Sequence, residues 1–433
     1  MSETHAQTVP FVRDTMLPQQ APPSSQVGAV RWVRENLFSS TLNIILTVLA
    51  VLAVFWIIAH VGPWLMNSVW NAGSLAECRQ ILAGESGACL AVIRDRWHQL
   101  LFGFYPPDLY WRPILAMVLL LVAIAPILFA SVPRKLIWFS ALYPFVAFWL
   151  LWGGSLWLPL AVIAGFAVGY AAYRVLSGIT TSTLITIGAV AAALVWWIWL
   201  AVPAARTVQS IIPLGITEVP SRDFGGFMLS IIIGVTGIAL SLPLGIMLAL
   251  GRKSDMPLIK MICVGFIEFV RGVPLITLLF TASLLLNYFL PPGTNFDIIL
   301  RVIIMVTLFA AAYMAEVIRG GLAALPRGQY EAADALGLDY WKAQRLIIMP
   351  QALKISIPGI VNTFIGLFKD TTLVVFIGLL DPIGLSNAIR ADSNWNGIYW
   401  ELFLFIGACF FIFCFGMSRY SMYLERRLKT DHR

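Results

Sequence analysis

Residues 226–250, GFMLSIIIGVTGIALSLPLGIMLAL, contain no charged side chain. A helix that crosses the hydrocarbon core of a bilayer needs about 20 mostly apolar residues, so this stretch can span a membrane. Similar stretches recur along the whole chain of 433 residues, in which 59% of the residues are hydrophobic and 12% are charged. Soluble domains have about 45–50% apolar and about 25% charged residues. The composition therefore excludes a soluble multidomain enzyme and a disordered scaffold, and it indicates an integral membrane protein.

Ten stretches have the length and composition of membrane-spanning helices. Five lie in each half of the chain, near 42–61, 114–132, 136–152, 156–173, 183–202, 226–250, 262–289, 298–318, 357–379 and 399–418. We therefore predict an all-α, polytopic membrane protein with about ten transmembrane helices. The first stretch is too long and begins too late for a cleaved signal peptide.

The distribution of basic residues predicts the orientation. If the N-terminus is inside and the spans alternate, the inside segments carry 19 Lys and Arg residues and the outside segments carry seven. Cytoplasmic loops of helical membrane proteins are enriched in Lys and Arg, so we expect both termini in the cytoplasm. The N-terminal tail is then 1–41, the basic C-terminal tail is 421–433, and a long loop at about 62–113 faces the other side. The net charge of +7 has the same origin and does not point to nucleic acid.

Two of the five cysteines share the loop at 62–113. Cys78 and Cys89 could form a disulfide if the loop faces an oxidising compartment, and the sequence leaves this open. The five cysteines show no metal-ligand spacing, and we expect no metal site.

The cytoplasmic loop at 320–356 is predicted to contain two short helices. Its central part, residues 325–350, reads LPRGQYEAADALGLDYWKAQRLIIMP. Pro326 suits the first position of a helix, and Gly337 suits its left-handed end. Asp339 can cap a second helix over 340–349, which we expect Pro350 to end.

One side of these two helices is apolar. Its members are Ala332, Ala333, Leu336, Trp341 and Leu346. An apolar face with no lipid to meet favours a groove on another protein. A DNA-binding helix-turn-helix would need a basic face, and here the basic and acidic side chains balance, so we expect no nucleic acid. A loop that packs under its own membrane domain remains an alternative.

The same loop resembles a known motif. Glu331, Ala332, Ala333, Gly337, Ile347 and Pro350 match the EAA motif of ABC importer permeases, EAA-x3-G-x9-I-x-L-P, in which Met349 replaces the Leu. Similarity to the polar-amino-acid branch of that family covers about 225–420. The five-span region at 42–223 resembles the extension of M-type membrane subunits of general L-amino-acid importers.

The resemblance implies a type I ABC permease domain of five helices at 224–420, in a subunit that translocates L-amino acids across a bacterial inner membrane. It implies three protein partners beside the lipid bilayer: a cytoplasmic ABC ATPase dimer seated on the EAA loop (residues 320–356), a second, paralogous permease and a periplasmic amino-acid-binding protein. The chain is not expected to be an enzyme or to hold a cofactor. ATP and Mg would bind to the ATPase, because GIMLALGRKS departs from the P-loop spacing between Gly245 and Lys253.

Several charged residues lie in or beside apolar runs of the second half. They are Glu268, Arg271, Arg301, Glu316, Arg319, Lys369 and Asp370. A charge at mid-bilayer costs at least about 2.5–3.5 kcal/mol, so each needs a partner or a water-filled cavity. Glu268 with Arg271, and Glu316 with Arg319, are spaced to pair along one helix, which could be purely structural.

The candidate translocation path consists of Lys369, Asp370, Thr371, Glu268 and Arg271. The first three lie near the middle of a predicted span, and a zwitterionic amino acid offers both a carboxylate and an ammonium to such a cluster. The alternative function is an ion-coupled secondary amino-acid transporter, because five spans followed by five of opposite direction is the layout of inverted-repeat transporters. A membrane-embedded enzyme would need a cluster of catalytic side chains that the sequence does not offer.

Overall fold

The computed structural model describes residues 28–177, 182–285 and 297–428. Its regular structure is helical except for a pair of two-residue antiparallel strands, β1 (Gly154–Ser155) and β2 (Gly215–Ile216). The helices of the first half are α1 (Gly28–Asn36), α2 (Thr41–Met66), α3 (Leu75–Leu82), α4 (Ala91–Phe102), α5 (Trp111–Leu128), α6 (Ile137–Trp152), α7 (Trp157–Leu176), α8 (Ser182–Val195) and α9 (Ala201–Ile211). Those of the second half are α10 (Gly226–Arg252), α11 (Pro257–Gly272), α12 (Leu275–Phe280), α13 (Ile298–Ala323), α14 (Gly328–Ala335), α15 (Tyr340–Ala343), α16 (Met349–Asp370), α17 (Pro382–Ala391) and α18 (Trp400–Leu428).

The described chain divides into two compact units. One consists of residues 28–69 and 79–88 and contains α1 and α2. The other consists of residues 70–78 and those from 89 onward, and it contains every helix from α4 to α18. In the first unit, α2 begins at its N-cap Ser40, whose hydroxyl accepts the Asn43 N–H, and none of its residues is buried.

The number of spans agrees with the sequence. Within the described ranges, nine helices are long and apolar enough to cross a membrane, and a tenth crossing results if one bent pair of helices counts as a span. This confirms the prediction of an all-α polytopic membrane protein with about ten transmembrane helices.

The bent pair corrects the single span predicted at 262–289. The helices Pro257–Gly272 and Leu275–Ser283 meet at an angle of 104°. Pro274 contributes no N–H to a helix and disfavours helical geometry at the residue before it. Val273 accordingly has extended backbone angles of −108° and 131°. The apolar run looked continuous because a hydropathy scan does not register a break at one proline.

The prediction that Pro350 ends a helix was wrong. Tyr340–Ile377 is one continuous helical segment, built from α15, a wide π-type turn at Gln344–Ile348, α16 and a 3-10 turn at Thr371–Ile377. The N–H of Met349 bonds to the Gln344 carbonyl, five residues back. This wider turn accommodates a proline that regular α-helical hydrogen bonding would disfavour.

The second unit has its main core where α10 crosses α13. Fully buried side chains at this crossing include Leu229, Ile233, Ile299 and Val306. Gly245 allows close approach, because a Cβ atom there would lie 2.7 Å from the Cβ of Met314. Small residues at such crossings let membrane helices pack backbone to backbone.

Loops that are predicted from the sequence to lie on the periplasmic side contact one another in the second unit. We call residues 70–78 and 89–106 the cap. The Leu75 N–H donates to the Asn394 carbonyl at 2.8 Å, and the Cys89 N–H donates to Glu401 Oε1 at 3.0 Å. The indole N–H of the fully buried Trp395 donates to Asp95 at 2.9 Å.

Cys78 and Cys89 form a disulfide in the cap. The pairing that the sequence left open is therefore present in the structure. Because the Cys89 N–H also donates to Glu401, the disulfide lies where the cap contacts the start of α18.

Candidate functional site

The EAA loop has the local structure that its sequence predicts on either side of Gly337. Helix α14 ends at Ala335, and Gly337 has a φ of +67°, a conformation that glycine adopts without strain. Asp339 is the N-cap of α15, and its carboxylate accepts the Lys342 N–H at 2.9 Å. The two helices therefore meet at a fixed turn.

The predicted apolar face of the EAA loop is divided between the inside and the surface. Ala333 is buried, whereas Ala332 and Glu331 beside it are exposed. Three large apolar side chains have no cover within the described chain, with exposed fractions of 72% for Leu336, 70% for Trp341 and 64% for Leu346. An exposed apolar patch of this kind, in a loop rather than on a lipid-facing helix, is typical of a protein-binding surface.

Two contacts attach the EAA loop to the membrane helices. The Gln351 side-chain amide donates to Gln329 Oε1 at 2.8 Å, which ties α14 to α16. The Lys253 ammonium lies 5.6 Å from the centre of the Tyr330 ring, at the end of α10. Ile347 is half-buried at the wide turn, and Pro350 is exposed just after it. A displacement of the loop would therefore move α16.

A cluster of arginines surrounds Glu316 near the ends of α10, α11 and α13. The Glu316 carboxylate lies 2.8 Å from Arg252, 3.0 Å from Arg319 and 3.6 Å from Arg271. We call these four residues, together with Glu268, the charged cluster. The predicted pair of Glu316 with Arg319 is confirmed.

The predicted pair of Glu268 with Arg271 was wrong. Glu268 instead lies 2.8 Å from Arg252, and Arg271 turns to Glu316. Sequence spacing identifies possible ion-pair partners on the same helix only. Here three helices converge, and the shortest ion pairs of Glu268 and Arg271 are with residues of other helices. Arg252 looked like an ordinary positive-inside residue, and no feature of its own segment distinguishes it.

A cavity of about 510 Å³ lies between α13 and α16. Its polar lining comes from Asn362, Thr363, Asp370 and Tyr313, and its remaining lining residues are mostly apolar. The Arg271 guanidinium lies 5.6 Å from the centre of the Tyr313 ring, so the charged cluster adjoins this cavity. The path residues predicted from the sequence did not include Asn362 and Thr363, although two adjacent polar residues in an apolar run were a usable signal.

The three neighbouring path candidates occupy different environments. Asp370 is half-buried and lines the cavity, whereas Lys369 is exposed and does not line it. Thr371 is fully buried, and its hydroxyl donates to the Phe368 carbonyl at 2.7 Å. They lie at the junction between α16 and the 3-10 turn, and neighbouring residues of a helix point to different sides of it.

Asp381 is a buried carboxyl that the sequence did not single out. It caps α17, and its oxygens accept the Gly384 N–H at 2.9 Å and the Ile383 N–H at 3.2 Å. Burial raises its pKa to about 6, although these backbone donors act in the opposite direction. Among the described residues, no group of three His, Cys, Asp or Glu side chains is placed to hold a metal ion.

Comparison with known proteins gives matches over nearly the whole chain. Residues 241–430 match the family model described as the binding-protein-dependent transport system inner membrane component. The chain is 63% identical over 432 residues to the glutamate/glutamine/aspartate/asparagine transport system permease protein BztC of Rhodobacter capsulatus, covering 98% of this chain and 99% of the relative. It is 39% identical to the inner membrane amino-acid ABC transporter permease protein YhdY of Escherichia coli K12, covering 93% and 94%.

One solved structure with a similar fold is described as an amino acid ABC transporter with histidines. Its sequence is 29% identical to this chain, the match covers 46% of this chain and 91% of the solved chain, and the TM-score is 0.42. Both of these relatives match over more than nine tenths of this chain, both are transport permeases, and neither is an ion-coupled carrier by its description. The secondary-transporter alternative therefore has no support. The chain belongs to the family of amino-acid ABC transporter permeases, the inner membrane components of binding-protein-dependent transport systems.

Proposed function

We propose that the chain binds a cytoplasmic ABC ATPase dimer through its EAA loop and transmits ATPase movement to the cavity beside Asp370. The observation that carries this proposal is the continuous helical segment Tyr340–Ile377, which begins in the exposed loop and reaches the cavity. At about 1.5 Å per residue, the 31 residues from Tyr340 to Asp370 extend over about 45 Å. A continuous helical element of this kind can transmit a displacement of the loop along its length.

Each residue of the motif has a physical role in this arrangement. Glu331 is exposed and can make a charge-assisted contact with a basic group of the ATPase. Leu336, Trp341 and Leu346 would enter an apolar groove on the partner. Ala333 is buried, and its small side chain allows α14 to pack closely against the rest of the chain.

The test is recruitment of the ATPase by the Glu331→Lys variant. We expect this variant to insert normally but to co-purify with much less ATPase, because the reversed charge repels the basic group that Glu331 meets. Asp108→Lys is the matched control, since Asp108 is also exposed but lies in the loop predicted on the opposite side of the membrane. Equal amounts of ATPase with both variants would refute the coupling role of Glu331.

The translocation path is proposed to run through the cavity, with the charged cluster beside its cytoplasmic end. Asp370 can pair with the ammonium of an amino acid, and the Asn362 side-chain amide can donate a hydrogen bond to its carboxylate. The Thr363 hydroxyl donates to the Gly359 carbonyl at 2.9 Å, so its oxygen can accept a hydrogen bond from the ammonium. Asp370→Asn should lower uptake while leaving ATPase recruitment intact. Lys369→Met tests the exposed neighbour in the same uptake assay. Unchanged uptake with Asp370→Asn would exclude the cavity as the translocation path. Unchanged uptake with Lys369→Met would exclude Lys369 from that path.

We also propose the remaining partners and the substrates. The second permease would be a paralogous subunit that pairs with this chain, and a periplasmic binding protein would deliver the substrate. The name of the relative from Rhodobacter capsulatus supports glutamate, glutamine, aspartate and asparagine as substrates. Uptake of labelled glutamate that is competed by the other three, but not by lysine or leucine, is the expected result. Competition by leucine as strong as by aspartate would contradict this substrate range.

The subunits would assemble in the inner membrane with both termini of this chain in the cytoplasm. Chemical labelling of single cysteines in the tails of intact cells and of lysed cells tests the orientation. Purification of the complex through this chain should recover two different permease chains in equal amounts. Recovery of this chain as its own partner would contradict the heterodimer.

A further inference from the structure

Helix α1 has an apolar side and a charged side. The apolar side chains on one face are Ala29, Val30, Trp32 and Val33. The charged side chains on the opposite face are Arg31, Arg34 and Glu35. All nine residues of the helix are exposed. A helix this short is marginal in water, so it needs a surface that covers its apolar face.

A shallow groove runs along the apolar face. It has a volume of about 410 Å³ and is lined by Ala29, Val30, Val33, Arg34 and Phe38. The groove therefore combines an apolar floor with one basic side chain at its edge. Trp32 beside it is a residue type that is enriched where membranes meet water.

The connection to α2 determines where α1 lies. Only four residues separate Asn36 from Thr41, and they reach at most about 14 Å. The Thr47 hydroxyl also donates to the Leu37 carbonyl at 2.9 Å, so the connection runs back along the first turns of α2. Because α2 is an apolar helix of 26 residues that enters the bilayer near this end, α1 lies at the membrane boundary.

We propose that α1 is an interfacial helix that lies on the membrane surface and binds anionic phospholipid headgroups through Arg34. Arg31 is paired with Glu35 at 2.8 Å, whereas Arg34 makes no ion pair with another described residue. A basic residue near an anionic membrane surface contributes about 1 kcal/mol of binding free energy. The apolar face would enter the boundary between headgroups and acyl chains, to a depth of about 5–10 Å.

The test uses spin labels on the full chain in nanodiscs. Val33→Cys and Arg31→Cys place the label on opposite faces of α1, in a background where the free cysteines Cys263, Cys409 and Cys414 are replaced and the disulfide is kept. Collisions with oxygen report lipid contact, and collisions with a water-soluble nickel complex report solvent contact. The nanodiscs contain phosphatidylcholine alone or mixed with phosphatidylglycerol.

We expect nickel accessibility several-fold lower at position 33 than at position 31, with higher oxygen accessibility at 33. Adding phosphatidylglycerol should increase the depth of the label at position 33 in the bilayer, and Arg34→Gln should abolish this dependence on lipid composition. Equal nickel accessibility at both positions would overturn the proposal in favour of a helix in solvent. Protection of both positions from nickel and oxygen would overturn it in favour of a protein cover. If the depth of the label at position 33 does not change with phosphatidylglycerol, the role of anionic headgroups is overturned.

Discussion

Replacing Asp381 by Asn should remove a specific pH dependence of the stability of this chain. Asp381 is fully buried at the N-cap of α17, and its pKa is raised from 3.8 to about 6. Asparagine caps helices about as well as aspartate, so its amide oxygen should keep the bond from the Gly384 N–H at 2.9 Å. The longer bond from the Ile383 N–H, which the second carboxylate oxygen accepts, is lost at every pH. The substitution therefore removes the titration and adds only a cost that does not depend on pH.

The sign follows from proton binding by the two states. The folded chain holds the Asp381 proton up to a higher pH than the unfolded chain, so the resulting stability is present below pH 3.8 and is lost as the pH rises through about 6. The difference between the two pKa values corresponds to about 3 kcal/mol at full protonation. Between about pH 7.5 and about pH 5, the linkage relation gives a gain of about 1.4 kcal/mol.

The assay is the free energy of unfolding from titration with sodium dodecyl sulfate in mixed micelles at the two pH values. The wild-type chain should gain about 1.4 kcal/mol more than Asp381→Asn when the pH falls from about 7.5 to about 5. Asp339→Asn is the matched control, because Asp339 also caps a helix but the bonds from Lys342 lower its pKa. The stability that the Asp339 carboxylate contributes is lost only below about pH 4. The difference in free energy of unfolding between Asp339→Asn and wild type should therefore be the same at both pH values. Identical pH dependence of wild type and Asp381→Asn would refute the reasoning.

Three further substitutions test the packing by thermal denaturation of the purified chain. Glu316→Gln should lower the free energy of unfolding by about 2 kcal/mol or more, because the Glu316 carboxylate is only 16% exposed and contacts three arginines. Glu268→Gln should lower it by less than about 1 kcal/mol, because Glu268 is 55% exposed. Equal denaturation midpoints for the two variants would contradict this ranking. Gly321→Ala should cost about 2 kcal/mol, since a Cβ there would lie 2.5 Å from a backbone carbonyl oxygen of α16, whereas Gly320→Ala, with open space around it, should not destabilise. Cys78→Ser should lower the free energy of unfolding by about 3 kcal/mol, because the unfolded chain gains the entropy of the opened loop, and trypsin should cleave the cap faster. Replacing the free cysteine Cys263 by serine is the control and should change neither quantity.

The predictions from sequence that succeeded rest on local or one-dimensional signals. The spans follow from runs of apolar residues, and Gly337 and Asp339 act within two or three residues of their own position. The pair of Glu316 with Arg319 lies within one helical turn. In each case the determining interaction involves neighbours in the chain or the lipid solvent, both of which can be inferred without knowing which helices touch.

The predictions that failed depend on contacts between helices or on one backbone break. The chain divides at Val273 and Pro274 within an apolar run that looked like one span. Glu268 pairs with Arg252 rather than with Arg271, because the ends of α10 and α11 converge. The continuity of the helix through Pro350 depends on a wide turn, for which the sequence carries no simple signal.

The sequence by itself determined the solvent of this protein, the approximate number of its spans and the position of the loop that resembles an ATPase contact. These properties follow from the cost of burying charge in lipid, which depends on composition and order alone. Only the tertiary structure decided that Asp370 lines a cavity while Thr371 does not, and that the cap is held to the start of α18 by the Cys89 N–H and Glu401. The contact of Cys89 with Glu401 joins residues 312 positions apart, and the cavity lies between two different helices, so the geometry of both depends on how the helices cross.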